Sequence, residues 1–167
     1  VAANALDIKA AEEKGMSKAM LDRLSLDQKR VFAMADGVSA LCALPDPVGN
    51  ILDEYERPNG IKITKISVPM GVIAIIYEAR PNVTSDAAAI ALKAGSSVIL
   101  RGGKEAFNSN LKTVEIMRRA ISKAGLPADL IQLETDTSRR SATDLMTLNG
   151  YLDVLIPRGG AGLIKAA

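Results

Sequence analysis

The run Gly71–Tyr77 (GVIAIIY) constrains this chain more than any other stretch, because it carries no charged residue and no alternation of polar and apolar positions. A bilayer span needs about 20 apolar residues, so the run is too short to be one. It fits a strand buried on both faces, the form that parallel strands take in α/β domains. Glu78-Ala79-Arg80-Pro81 interrupts it, since proline lacks a donor and turns the residue before it away from the helical region. Asn82, Thr84, Ser85 and Asp86 are candidate caps for the alanine-rich helix that follows, and Gly95 closes that helix. Ser97–Leu100 (SVIL) supplies a second short strand, which runs into Arg101-Gly102-Gly103-Lys104.

Strands and helices keep alternating beyond this unit. Phe107 to Ala124 carries an apolar stripe at Leu111, Val114, Met117 and Ile121, and Gly125 and Pro127 end it. Ile131–Leu133 reads as a short strand, Ser138–Met146 as a polar-faced helix, and Leu152–Ile156 as a further buried strand. Four strands separated by helices predict an α/β fold with a parallel sheet and flanking helices. Before it, residues 3–14 and 17–24 predict two short helices, the first patterned by Leu6 and Ile8 and the second capped by Ser17. Ser25 and Gln28 have capping-box spacing for a third helix. Its stripe is Val31, Met34, Ala35, Val38, Leu41 and Cys42, which predicts a buried Cys42. Residues 51–67, with Pro58-Asn59-Gly60 between two amphipathic arms, predict a β-hairpin.

Composition narrows the partners. Aromatic residues are 3% of the chain and Trp is absent, so no stacking platform for nucleic acid is expected. The net charge of +2 comes from interspersed charges, which leaves small anionic ligands rather than nucleic acid or a membrane surface. One cysteine and no histidine leave no ligands for a zinc site of the usual His/Cys kind, so no metal site is expected, and they allow no internal disulfide. The lack of a leader-like or membrane-length apolar run predicts a cytoplasmic location.

Three turns carry the chemistry. Arg101-Gly102-Gly103-Lys104 follows a strand, where exposed amides beside fixed cations suit a phosphate. Arg158-Gly159-Gly160 also follows a strand and precedes a helix, so its backbone can approach a pyrophosphate. After the first strand, Arg80 can grip a carboxylate or phosphate bidentately and Asn82 can donate to an oxyanion.

The blocks VPMGVIAIIYEARPNVTSDAAAIALKAG, VILRGGKEA and LIPRGGAG resemble the γ-glutamyl phosphate reductase (glutamate-5-semialdehyde dehydrogenase) family of the aldehyde dehydrogenase superfamily. The resemblance runs along essentially the whole chain, which would form well under half of such an enzyme. It implies an aldehyde-dehydrogenase-like cofactor-binding domain, truncated, over residues 1–167, with the hairpin as an oligomerisation arm. The implied reaction is NADPH-dependent reduction of L-glutamyl 5-phosphate to L-glutamate 5-semialdehyde in proline biosynthesis, by a homo-oligomer when complete. Lys104 stands where NAD-preferring relatives often carry an acid, so NADP(H) is the implied cofactor. The oxyanion donor is Asn82 by chemistry or Arg80 by ungapped counting. The family's nucleophilic cysteine would lie in a catalytic domain beyond residue 167, so these residues alone are expected to be inactive. Two alternatives are another aldehyde dehydrogenase relative with a different acyl substrate, and a non-catalytic nucleotide-binding or assembly module.

Overall fold

A computed structural model describes residues 1–166. Three N-terminal helices, α1 (Ala2–Glu13), α2 (Lys18–Leu24) and α3 (Gln28–Cys42), precede a hairpin of β1 (Ile51–Glu56) and β2 (Lys62–Ile66). The α/β unit then runs β3 (Val72–Tyr77), α4 (Asn82–Lys93), β4 (Ser97–Arg101), α5 (Phe107–Lys123), β5 (Ile131–Leu133), α6 (Arg139–Met146), β6 (Val154–Arg158) and α7 (Ala161–Ala166). The expected parallel sheet with flanking helices is present, in the order β5-β4-β3-β6. From β3 the chain steps outward to β4 and β5, then returns past both to place β6 on the other side of β3. That reversal opens a crevice beyond the carboxyl ends of β3 and β6.

β3 is central, and its residues Ile73 to Tyr77 are all buried. Ile73, Ile75 and Tyr77 pack with Val83, Ala88 and Ala91 of α4, Val98 and Leu100 of β4, Val114 of α5 and Ile131 of β5. β6 differs from expectation. It begins at Val154 and extends through Pro157 to Arg158, with Ile76 opposite Pro157. A proline is tolerated there because β6 pairs on one side alone, so its missing donor breaks no ladder bond.

The hydroxyl of Tyr77 lies 2.7 Å from Thr84 Oγ1, which in turn bonds Asn110 Oδ1 at 2.8 Å. This buried chain ties β3, α4 and α5 together. Burial pushes the Tyr77 phenol up to about 12, against a smaller opposing effect of the Thr84 bond. A folded-state value above the unfolded one contributes stability below the unfolded value, near pH 10, and that stability is lost as pH rises toward 12. Tyr77→Phe is therefore expected to flatten the alkaline fall in unfolding free energy, by an amount on the order of 2 kcal/mol between pH 9.5 and 12. Parallel wild-type and variant curves in denaturant titrations would refute this.

Several local expectations are corrected. α1 buries Asn4, Asp7 and Ala11 and leaves Leu6 exposed, so its inward face is polar. Asn4 Oδ1 accepts from Leu26 N at 2.7 Å, between Ser25 and Asp27, which are both extended. α3 therefore starts later, capped by Asp27 accepting from Arg30 N, and the Ser25–Gln28 capping box does not form. Ser17 occupies the cap position of α2 without a side-chain bond. In α4, Asn82, Thr84, Ser85 and Asp86 are all helical, the cap position is Pro81, and Thr84 and Ser85 are buried. α3 has α4 as its main packing partner. Of its stripe, Val31, Met34, Val38 and Leu41 are accordingly half-buried, and Ala35 and Cys42 are exposed rather than buried. The hairpin forms as expected, with Gly60 at positive φ and a bulge between Ile51 and Asp53. Its strands contact mainly each other, and Ile51, Leu52, Tyr55 and Ile61 remain exposed.

Candidate functional site

The crevice at the reversal point has a volume of about 700 Å³, within the range of small-molecule sites. Tyr77, Glu78, Ala79 and Arg80 from the end of β3 form one wall, and Arg158-Gly159-Gly160 from the end of β6 form another. Val83, Glu105, Met20 and Arg23 complete it. Parallel pairing sets the two walls side by side, with Tyr77 opposite Arg158 and Glu78 N donating to Arg158 O at 3.4 Å. A Cβ at Gly159 would lie 2.7 Å from Glu78 Cδ and 2.9 Å from Leu163 Cδ2. Glycine thus lets the Glu78 carboxylate rest against this turn, where a larger residue would push that flexible group aside. Arg158 makes no ion pair among the described residues.

The second glycine turn sits beside the first. Gly103 lies against Ala79 N and the carbonyl carbon of Glu78, and Glu105 reaches the crevice. Lys104 between them is exposed. Arg101 reaches toward another loop: its Nη2 donates to the carbonyls of Thr137 and Ser138 at 2.8 and 2.7 Å, and its Nε is buried without a partner among the described residues. It clamps β4 to the loop before α6. Asp136 in that loop is held below its usual value by hydrogen bonds from Ser138, with Arg101 and Arg140 adding to the effect. Gly102 is buried, and a Cβ there would collide with Asn110 Nδ2 and crowd the Tyr77 ring.

Arg80 and Asn82 are separated by the turn. Arg80 is exposed and lines the crevice, whereas Asn82 faces a second recess of about 420 Å³ between α2, α3 and α4. Asn82 Nδ2 donates to Asp86 Oδ2 at 3.2 Å. Arg23 and Arg80 border both spaces. Sequence reasoning missed Glu78, Glu105 and Arg23. Glu78 and Glu105 sit at strand and turn ends that were already suspect, but nothing local marks Arg23. No group of three metal-binding side chains occurs among the described residues, and no described helix is long and apolar enough to cross a membrane.

Comparison with known proteins gives this geometry a context. No family model matches the chain. A γ-glutamyl phosphate reductase from Heliobacterium modesticaldum is 57% identical over 166 residues, which is 99% of this chain and 40% of that protein. The chain is similar to γ-glutamyl phosphate reductase. It spans about 40% of the length of the curated relatives it matches. The crystal structure of the γ-glutamyl phosphate reductase from Thermotoga maritima superposes with a TM-score of 0.94 at 39% identity, covering 98% of this chain and 39% of that one. A probable aldehyde dehydrogenase from Listeria monocytogenes shares the fold, with a TM-score of 0.69 at 24% identity over 99% of this chain and 35% of that one. The fold is therefore that of γ-glutamyl phosphate reductase and of aldehyde-dehydrogenase-like proteins.

Proposed function

We propose that this chain is the cofactor-binding portion of an NADPH-dependent γ-glutamyl phosphate reductase, which converts L-glutamyl 5-phosphate to L-glutamate 5-semialdehyde and phosphate in proline biosynthesis. The observation that carries it is the crevice where β3 and β6 part, together with the likeness to γ-glutamyl phosphate reductase along nearly the whole chain. Open α/β sheets bind nucleotides at such a reversal. The residues present fit a dinucleotide. Arg158 is a cation without an ion pair among the described residues, beside exposed backbone at Gly159 and Gly160, which suits a pyrophosphate. Glu78 and Glu105 can accept from ribose hydroxyls, and exposed Lys104, next to Glu105 in the chain, supplies a charge for a 2′-phosphate. Arg101 holds the shape of the site through the Thr137 and Ser138 carbonyls, and Gly102 through its close approach to Asn110 and Tyr77.

The bound cofactor would supply the hydride. Arg80 borders both spaces and orients the substrate by gripping an anionic group bidentately; Asn82, already donating to Asp86, offers an oxyanion donor from the neighbouring recess. Cys42 is exposed at the end of α3 and lines neither space, so we assign it no part in the chemistry, and the thiolate of the reaction would come from elsewhere in the protein. The test is NADP-dependent oxidation of L-glutamate 5-semialdehyde by the full-length protein in the presence of phosphate. Turnover is expected, and Lys104→Glu should weaken NADPH binding by about 1–3 kcal/mol more than NADH binding. Equal losses for the two cofactors would remove the 2′-phosphate assignment, and absence of turnover would remove the reaction.

We further propose that the hairpin is a self-association arm. Its exposed Tyr55 and Ile61, with Ile63 opposite Tyr55, form an apolar patch that little else in the chain covers. Replacing Ile61 and Ile63 with Glu is expected to lower the mass of the full-length protein by light scattering while NADPH binding persists. An unchanged mass would exclude the arm from assembly.

A further inference from the structure

The recess between α2, α3 and the start of α4 is separate from the nucleotide crevice but shares Arg23 and Arg80 with it. Its wall carries charges of both signs: Asp22, Arg23, Arg30, Arg80 and Asp86. Two of these are already satisfied. Arg30 Nη2 donates to Asp22 Oδ1 at 2.6 Å, and Arg30 Nη1 also donates to the Asp22 and Ser25 carbonyls. Three charges remain. Neither Arg23, Arg80 nor Asp86 has an ion-pair partner among the described residues, and Asp86 accepts only from the neutral amide of Asn82. Asn82 and Asp86, four residues apart on α4, present their polar groups on one helix face toward α3.

Two unpaired guanidinium groups and one unpaired carboxylate around a single recess match a ligand with the opposite arrangement. A carboxylate can bridge the arginines, and an ammonium group can meet Asp86. We propose that this recess holds the zwitterionic end of an α-amino acid, with Arg23 and Arg80 taking its carboxylate and Asp86 its ammonium group. This deepens the reductase reading and rests on it. Because Arg80 borders both spaces, a ligand anchored in the recess can extend its side chain past Arg80 toward the nucleotide crevice. Arg23 then serves as a specificity residue, delivered by an N-terminal helix far along the chain from the sheet turns.

The probe is L-glutamate, titrated calorimetrically into the full-length protein without cofactor, with glutarate as the analogue lacking the ammonium group. Wild-type protein should bind L-glutamate more tightly than glutarate. Arg23→Gln and Asp86→Asn should each weaken L-glutamate by about tenfold or more, the scale of a lost charge-assisted contact. Arg23→Lys should recover part of the loss, and Asp86→Asn should leave glutarate unchanged. Both side chains stand outside the cores of the fold, so thermal midpoints should not move, and Arg23→Lys keeps the test decisive if Arg23→Gln folds poorly. Failure of the wild type to bind L-glutamate, or binding indifferent to both substitutions, overturns the assignment. Turnover of the semialdehyde is measured separately, so loss of this inference and loss of the reductase reading give different results.

Discussion

Asp7→Ala is expected to lower the unfolding free energy by about 2–4 kcal/mol, a shift of roughly 10 °C in thermal midpoint for a chain of this size. Asp7 is 3% exposed on α1, yet both its oxygens are engaged by the first turn of α5. Oδ1 accepts from Asn108 N and Nδ2 at 3.1 and 2.8 Å, and Oδ2 accepts from Ser109 N and Oγ at 2.8 and 2.6 Å. The cap position of α5 is Ala106, which has no side-chain acceptor, so a carboxylate from another helix performs the capping. Removing it strands the buried Ser109 amide and hydroxyl and the half-buried Asn108 amide. Asn4 joins the same junction, donating to Leu24 O at 2.8 Å and Ser109 Oγ at 3.0 Å. Asp7→Asn should cost less than Asp7→Ala, since it keeps one acceptor. A loss below about 1 kcal/mol for Asp7→Ala would show that water replaces the carboxylate and that the α1–α5 junction is not a structural joint.

Gly102→Ala should cost about 3 kcal/mol, and it should do so without any cofactor present. The new Cβ would lie 2.1 Å from Asn110 Nδ2, 3.2 Å from Asn110 Cγ and 3.1 Å from Tyr77 Cζ. Asn110 and Tyr77 are both almost fully buried and are joined through Thr84, so neither can swing aside without breaking the buried chain. The double substitution Gly102→Ala/Asn110→Ala should recover part of the loss, because it removes the nearest obstacle. If Gly102→Ala instead left the midpoint unchanged and weakened only NADPH, the glycine would be serving ligand approach. Gly103 provides the contrast. The nearest obstacle to its Cβ is Glu105 Oε2 at 2.8 Å, the end of a flexible side chain, so Gly103→Ala should be much milder.

Much of the α/β unit was legible because its signals are local. An uninterrupted apolar run such as Ile73–Tyr77 can be satisfied only by burial on both faces, and Gly95, Gly125 and Pro127 mark the ends of α4 and α5. The hairpin was legible for the same reason, since Asn59-Gly60 sets a tight turn from its own backbone preferences. Helix starts were less so. Ser25 and Asn82 have the chemistry of caps, but tertiary bonds at Leu26 and the packing of Pro81, Thr84 and Ser85 moved the real boundaries. Cys42 failed for a related reason: a stripe predicts a buried face only if an element exists to cover it, and α3 has α4 alone as a main partner. The motif residues divide in the same way. Arg158, Gly159, Gly160 and Arg80 were suspect from sequence, and tertiary pairing of β3 with β6 brings them to one crevice. Arg101 looked identical in kind to Arg158, yet nearby carbonyls of Thr137 and Ser138 claim its guanidinium. By itself the sequence determined which segments must be strands and helices and which turns carry charge, because those depend on neighbours in the chain. Strand order, the polar α1–α5 junction and the meeting of Arg23 with Arg80 depend on contacts between residues far apart in sequence, so only the tertiary structure could decide them.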